Sequence, residues 1–343
     1  MQGYNMSELY NPLLYNTPYH SRDLSKLRFL ITGGAGFIGS NLVEYLVRYN
    51  AGKVRVLDNL SNGYIENIQP FMDAGKIEFI NGDIRDYDTC KVAVEGIDYV
   101  FHQAALGSVP RSIKDPITTN EVNIGGFVNM LTASKETETV KRFIYAASSS
   151  TYGDSQELPK REDRIGNPLS PYAVTKLANE LYAKVFSDVY GIETIGLRYF
   201  NVFGPKQSPD NPYASVIPLF IKSAINKTQP TIYGDGTTAR DFTFIENIVQ
   251  ANIKSIFCPI DHKVILNVAY GQSTSLIELW NIIAEVFECK NLFPMFGNER
   301  IGDIKYSLAD LTKARDILEY NPKIDIRSGI KIIYQSFKNR NSN

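Results

Sequence analysis

A short apolar run, Arg28-Phe29-Leu30-Ile31-Thr32, passes directly into Gly33-Gly34-Ala35-Gly36-Phe37-Ile38-Gly39 and then into an amphipathic stretch. Glycines at each third position between a strand and a helix constrain the chain closely. Gly33 permits the tight turn, Gly36 lets the backbone approach a pyrophosphate, and Gly39 lets the helix lie close on the strand. The helix N-terminus then offers free amides to phosphate. A second apolar run, Val54 to Asp58, ends in a carboxylate about 20 residues past the last glycine, where the acidic residue of a dinucleotide site belongs. A carboxylate there accepts from both ribose hydroxyls and repels a 2′-phosphate, so the expected cofactor is NAD rather than NADP.

From Arg28 onward, short apolar runs alternate with amphipathic stretches, the pattern of a parallel sheet with covering helices. Strands are expected over Arg28 to Thr32, Val54 to Asp58, Ile77 to Asn81, Tyr99 to Gln103, Arg142 to Ala147 and Glu193 to Leu197. Helices are expected over Phe37 to Tyr49, Ile117 to Lys135 and Tyr172 to Tyr190. After Asn201 a series of prolines breaks the chain into short pieces. The expected fold is therefore α/β, a Rossmann-type doubly wound parallel sheet with a smaller C-terminal α/β lobe. Residues 1–26 read as an N-terminal arm without regular period, 27–200 as the NAD-binding domain, rejoined by about 240–270, and 201–343 mainly as a substrate lobe.

Composition narrows the function classes. With 343 residues the chain can bury a large core, and a net charge of −1 leaves no basic footprint for nucleic acid. No apolar run approaches the roughly 20 residues that span a bilayer, and the N-terminus lacks the basic and apolar sections of a signal peptide, so no membrane partner and a cytoplasmic location are expected. Cys90, Cys258 and Cys289, with His20, His102 and His262, form no metal-ligand spacing. No metal is expected.

Chemistry is concentrated in Ser148-Ser149-Ser150-Thr151-Tyr152-Gly153 and Pro171-Tyr172-Ala173-Val174-Thr175-Lys176. Tyr172 and Lys176 are four apart, so on a helix both rise from one face, one turn apart. A phenol is a poor base at neutral pH; a neighbouring ammonium, and a nicotinamide cation, favour its phenolate. The serines add hydroxyls that can orient a sugar alcohol.

The glycine turn and the Tyr172/Lys176 pair together make the sequence resemble the extended short-chain dehydrogenase/reductases, from about Arg28 into the C-terminal region. Asp83-Ile84, His102-Gln103-Ala104-Ala105, Asn123 and Arg198-Tyr199-Phe200-Asn201 are similar to segments of the nucleotide-sugar branch. The resemblance implies a UDP-sugar substrate and a homodimer built on helices near 117–135 and 172–190. It implies cofactor contacts at Phe37, Ile38, Asn59, Asp83, Ile84, Gln103, Ala104, Ala105, Asn123 and Tyr199, besides the glycines, Asp58, Tyr172 and Lys176. It implies substrate contacts at Ser108, Val109, Arg111, Ser149, Ser150, Asn201, Val216, Ile217, Tyr233, Arg240, Arg300, Asp303 and Ser307. Arg240 and Arg300 suit a diphosphate because a guanidinium fork binds two oxygens at once.

Relatives that eliminate water resemble one another in carrying Asp-Glu just before the Tyr-Gly, and the decarboxylating relatives also have a Glu there. This chain has Ser149 and Ser150, hydroxyls that cannot serve as the carboxylate acid or base for C5 and C6 chemistry. The expectation is oxidation at C4 and return of the hydride to the other face, a 4-epimerase with Tyr172 as base, Lys176 its stabiliser and Ser148, Ser149 and Ser150 orienting O4. Epimerases confined to glucose and galactose resemble one another in a Tyr where this chain has Ser307, which leaves room for a 2-acetamido group. Leu106-Gly107-Ser108-Val109-Pro110-Arg111-Ser112 resembles the loop of epimerases preferring N-acetylated sugars. UDP-N-acetylglucosamine and UDP-N-acetylgalactosamine are the first expectation. Acetamido uronates, which Arg111 suits, and glucose/galactose remain alternatives, with a dehydratase, a decarboxylase or a non-catalytic NAD sensor behind them.

Overall fold

The computed structural model describes residues 9–210, 214–298 and 305–341. Its centre is a parallel sheet of β1 (Arg28–Thr32), β2 (Lys53–Asp58), β3 (Glu78–Asn81), β4 (Tyr99–His102), β5 (Arg142–Ser148), β6 (Glu193–Tyr199) and β11 (Lys263–Val268), in the order β11-β6-β5-β4-β1-β2-β3. β1, β2, β4, β5 and β6 are buried along almost their whole length because helices cover both faces. Small two-stranded sheets lie outside: β7 (Val202–Phe203) with β10 (Thr243–Phe244), β8 (Thr231–Tyr233) with β13 (Met295–Gly297), and β9 (Ala239–Asp241) with β12 (Ser273–Ser275).

Helices α1 (Phe37–Arg48), α2 (Gln69–Asp73), α3 (Tyr87–Val94), α4 (Val109–Lys114), α5 (Pro116–Asn120), α6 (Phe127–Glu136) and α7 (Pro171–Tyr190) serve the sheet. α8 (Val216–Asn226), α9 (Ile245–Lys254), α10 (Leu276–Val286), α11 (Thr312–Leu318) and α12 (Ile326–Asn341) follow. The single helix expected over Ile117 to Lys135 is instead α5, a π-helical turn over Glu121–Gly126, and α6. At this break the packing is close, since a Cβ on Gly126 would stand 2.5 Å from the Ile84 side chain, and Asn123 within the π turn is buried and accepts from the Leu106 amide.

α7 starts at Ser170, whose hydroxyl accepts from the Ala173 amide, and stops at Gly191 in the left-handed conformation, φ 76°. Inside it, Glu180 forms a bidentate pair with Arg198 of β6, both bonds 2.8 Å and both side chains buried. The helix is thereby fixed in rotation against the sheet. Among the described residues no helix is long and apolar enough to cross a membrane.

Candidate active site

The C-terminal ends of the parallel strands form the working edge. The β1–α1 turn lies there with Gly33 at φ 67°; a Cβ on Gly33 would stand 2.8 Å from the Ala104 backbone, and one on Gly39 2.2 Å from the Gly33 carbonyl. Glycine is thus required for α1 to reach β1 so closely. No side chain caps α1, so the first amides of the helix remain available to an anion. They open into a cleft of about 370 Å³ lined by Gly33, Gly36, Phe37, Ile38, Gly39, Asp58, Asn59, Asp83, Ile84, Gln103, Ala104 and Ala105.

Asp58 ends β2 in the floor of this cleft. Its carboxylate accepts from the Ala35 amide at 2.9 Å and the Leu60 amide at 2.8 Å. Each oxygen keeps a further acceptor site for a ribose hydroxyl. Burial pushes its pKa up, against the pull of these amides. Next to it the Asn59 amide donates to Asp83 at 2.8 Å, and Arg85 holds the Asp83 carboxyl down at about 2. The glycine turn, the uncapped amides and a carboxylate with spare lone pairs fit a dinucleotide.

β5 ends in Ser148, paired in register with Tyr199 of β6. The Ser148 hydroxyl accepts from the Ser150 amide at 3.1 Å and the Ser150 hydroxyl at 2.9 Å. Ser149 opens the 3₁₀ turn Ser149–Tyr152 and is half-buried. On α7, Lys176 is buried and donates to the Ala146 carbonyl at 2.8 Å, with its ammonium 6.0 Å from the centre of the Tyr172 ring. Burial lowers Lys176 to about 8, and Glu180 pulls it back up. For the Tyr172 phenol burial dominates and raises its pKa, while a hydrogen bond with Ser148 lowers it. The depressed phenol expected from Lys176 is therefore not found in the protein alone. The ammonium is shared with a carbonyl, and the hydroxyl of Ser148 is the group that favours the phenolate.

A second cavity, about 530 Å³, lies beyond β6 and is lined by Asn201, Val216, Ile217, Tyr233 and Arg240 among others. Ala214 and Ser215 border both cavities, so the two adjoin. Asn201 donates to the Ser307 hydroxyl at 3.3 Å and to the Asp241 carbonyl at 3.1 Å. Ser307 also accepts from the Asp241 amide at 3.3 Å. The hydroxyl–phenol–ammonium group gathers where β5, between β4 and β6 in the sheet, meets the start of α7, and its members are not among the residues that line either cavity.

Some expected contacts fall elsewhere. Asn123 is buried away from the cleft lining, its side chain bonded to both backbone polar groups of Leu106 and to the Thr175 hydroxyl. It braces the loop after β4 against α7. The Tyr199 hydroxyl is likewise spent on Gln103 and Asn252, so its link to the cleft runs through Gln103. Ser108 caps α4 by accepting from the Arg111 amide, Val109 is exposed, and the Arg111 guanidinium donates to Asn62 at 2.8 Å. Arg300 and Asp303 lie outside the described residues. Sequence reasoning missed Ser61, Asn62, Gly63 and Tyr64 on one side of the cleft and Lys206, Gln207 and Ser208 on the other. The polar, glycine-containing run directly after Asp58 is the signal that marks the first group; nothing local marks the second.

An uncapped glycine turn, an acidic residue ending β2 and a Tyr-Lys pair beside a serine run define a dinucleotide-dependent enzyme of the short-chain dehydrogenase/reductase type. Residues 29–269 match the NAD dependent epimerase/dehydratase family, and the chain belongs to it, with NAD as cofactor. It is 35% identical over 313 residues to a putative UDP-glucose 4-epimerase of Methanocaldococcus jannaschii, covering 91% of this chain and 99% of that one. The UDP-N-acetylglucosamine 4-epimerase of Methanobrevibacter ruminantium, solved with UDP-N-acetylmuramic acid, superposes with a TM-score of 0.84 at 38% identity, covering 91% of this chain and 99% of that chain. The UDP-glucuronic acid 4-epimerase of Bacillus cereus, solved with UDP-glucuronic acid and NAD, gives a TM-score of 0.84 at 30% identity, covering 92% of this chain and all of that one.

Proposed function

We propose that the chain is a 4-epimerase of UDP-sugars and that it interconverts UDP-N-acetylglucosamine and UDP-N-acetylgalactosamine. The observation that carries the reading is the set Tyr172, Ser148, Ser150 and Lys176 gathered where β5 meets α7, with hydroxyls at 149 and 150 where acid/base carboxylates are needed for elimination. When bound, NAD supplies the hydride acceptor and donor and a positive ring that favours the Tyr172 phenolate. Tyr172 takes the O4 proton and later gives it back. Ser148 orients the phenol oxygen, and Ser150, hydrogen-bonded to Ser148, holds O4. Lys176 keeps a positive charge near the phenolate. Arg240 in the second cavity pairs with the diphosphate, so the hexose is free to present its other face to the same hydride. The protein ends each turn unchanged in redox state.

The acetamido preference is supported by Ser307, a small buried residue bonded to Asn201, which lines the second cavity. Overpacking by a Tyr there costs about 1–3 kcal/mol, a tenfold to two-hundredfold penalty. Proton NMR of the protein incubated with UDP-N-acetylglucosamine and no added NADH tests the whole reading. Appearance of UDP-N-acetylgalactosamine without net redox supports it; a stable 6-deoxy-4-keto product or no turnover rejects it.

A homodimer is proposed on the outer face of α7, where Val174, Leu181, Val185 and Val189 are exposed beside Ile113 of α4 and Ile117 of α5. Water-exposed apolar side chains in that number favour association. Sedimentation at the mass of a monomer would contradict it.

A further inference from the structure

Residues 9–27 lie outside the segment that matches the family, yet they are built into the protein. Leu14, Tyr15 and Leu24 are buried. Arg48 donates to the Leu14 carbonyl at 2.7 Å, and Tyr49 to the Tyr15 carbonyl at 2.8 Å. Tyr15 has φ 56°, a left-handed conformation that bulky residues avoid and that persists only where the surroundings impose it. The turn sends its phenol inward to donate to Asn41 at 2.7 Å. One turn along α1, the Asn11 amide donates to Glu44 at 2.7 Å.

Asn41 and Glu44 are themselves bonded onward. The Asn41 amide donates to the Pro205 carbonyl at 3.3 Å and to the Phe37 carbonyl, in the first turn of α1, at 2.8 Å. Glu44 pairs with Lys206 at 2.9 Å, both side chains largely out of water. Lys206, Gln207 and Ser208 wall the dinucleotide cleft, and the Ser208 hydroxyl accepts from Tyr64 of the opposite wall at 3.3 Å. Hydrogen bonds and an ion pair, joined through the backbone of residues 205–208, thus link the arm through α1 to both sides of the cleft.

We infer that the N-terminal arm is a positioning strap for the cofactor cleft, acting through Tyr15 on Asn41 and Asn11 on Glu44 to hold the Pro205–Ser208 wall against NAD. Buried hydrogen bonds of this kind are costly to leave half made, because Asn41 stripped of its donor cannot turn to water. The inference rests on the NAD cleft and not on which sugar is turned over.

The test uses the full chain loaded with radiolabelled NAD and chased with unlabelled NAD, together with amide hydrogen exchange of residues 205–208. Tyr15→Phe is expected to release NAD about tenfold faster and to raise exchange at 205–208, with the circular dichroism unchanged. Ser25→Ala is the control: Ser25 belongs to the same arm and its hydroxyl donates to Asp23 within it, off the path to the cleft. Its NAD release should match the wild type. Should Tyr15→Phe fail to fold, Glu44→Gln takes its place under the same criteria. Unchanged release in Tyr15→Phe, or in Glu44→Gln where it takes its place, or equal acceleration by Ser25→Ala, overturns the inference.

Discussion

The ammonium of Lys176 donates to the main-chain carbonyl of Ala146, tying α7 to β5 next to the serines that end that strand. One hydrogen bond therefore sets both the height of Lys176 and its distance from Tyr172. Burial lowers the Lys176 pKa only to about 8, so the ammonium persists at neutral pH, while burial holds the Tyr172 phenol in its protonated form. Against burial, the Ser148 hydroxyl favours the phenolate and the Glu180 carboxylate favours the ammonium, and a bound NAD would add the positive charge of its ring.

Tyr172→Phe is expected to retain its bound NAD and its melting temperature while losing about 10²–10⁴-fold in turnover, the range of a positioned acid/base group. The ring stays in its pocket and only the hydroxyl is lost. Near wild-type turnover by coupled assay would remove Tyr172 from the mechanism.

Ser148→Ala should cost more than Ser150→Ala. Ser148 accepts from both the amide and the hydroxyl of Ser150 and also bonds the Tyr172 phenol, whereas Ser150 reaches the phenol only through Ser148. The pH at which turnover rises should move upward in Ser148→Ala, because the hydrogen bond that favours the phenolate is gone. Identical pH profiles in the two variants would show that the phenol is tuned by something else.

Lys176 also carries a stability prediction. Its folded pKa, about 8, lies below the ordinary value of 10.5. Below pH 8 the group is charged in folded and unfolded chains, and its burial penalty is fully present. Between 8 and 10.5 the unfolded chain binds more protons, so stability rises with pH. Relative to Lys176→Met, the wild type should gain about 2 kcal/mol between pH 7 and pH 9.5. Parallel urea titrations at the two pH values measure this; a constant difference between the proteins refutes it.

β1, β2, β4, β5 and β6 can be read from the chain because strands buried on both faces must be apolar throughout, and the glycine turn fixes where the first of them ends. β11 is harder: a return of the chain near 240–270 is expected, but the pairing of Lys263–Val268 with β6 is a long-range event that local residue order does not fix. The site divides in the same way. Gly33, Asp58, Tyr172 and Lys176 announce themselves by spacing within one turn or one strand–helix unit. Lys206 and Ser208 reach the cleft because Asn41 and Glu44 hold them there from far away in sequence, and Asn123 turns out to brace a loop from within a π turn that is invisible to a 3.6-residue period. Long-range contacts of this sort have no signature in local residue order.

Ser307→Tyr should lower kcat/KM for UDP-N-acetylglucosamine tenfold to two-hundredfold and leave UDP-glucose nearly unaffected. The hydroxyl at 307 accepts from Asn201 and from the Asp241 amide, so Ser307→Ala serves as the control for loss of those bonds without added bulk. Equal losses on both sugars in Ser307→Tyr would mean that the residue supports the wall and does not choose the substrate.

Removal of one partner from the Arg198–Glu180 pair should be far more damaging than removal of both. Each side chain is only 3–4% exposed, and the two bonds are matched at 2.8 Å. Arg198→Met leaves the Glu180 carboxylate buried without its fork, which costs about 3–5 kcal/mol. The double variant Arg198→Met/Glu180→Leu replaces the ions by apolar groups of similar volume and should recover most of that loss in a urea titration. Turnover should not recover with it. Glu180 is the one group that draws the Lys176 pKa upward, so without it the ammonium is lost at lower pH and the alkaline fall in activity should move toward neutrality. A double variant that regains stability and keeps the wild-type pH profile would confine the pair to anchoring α7 on β6.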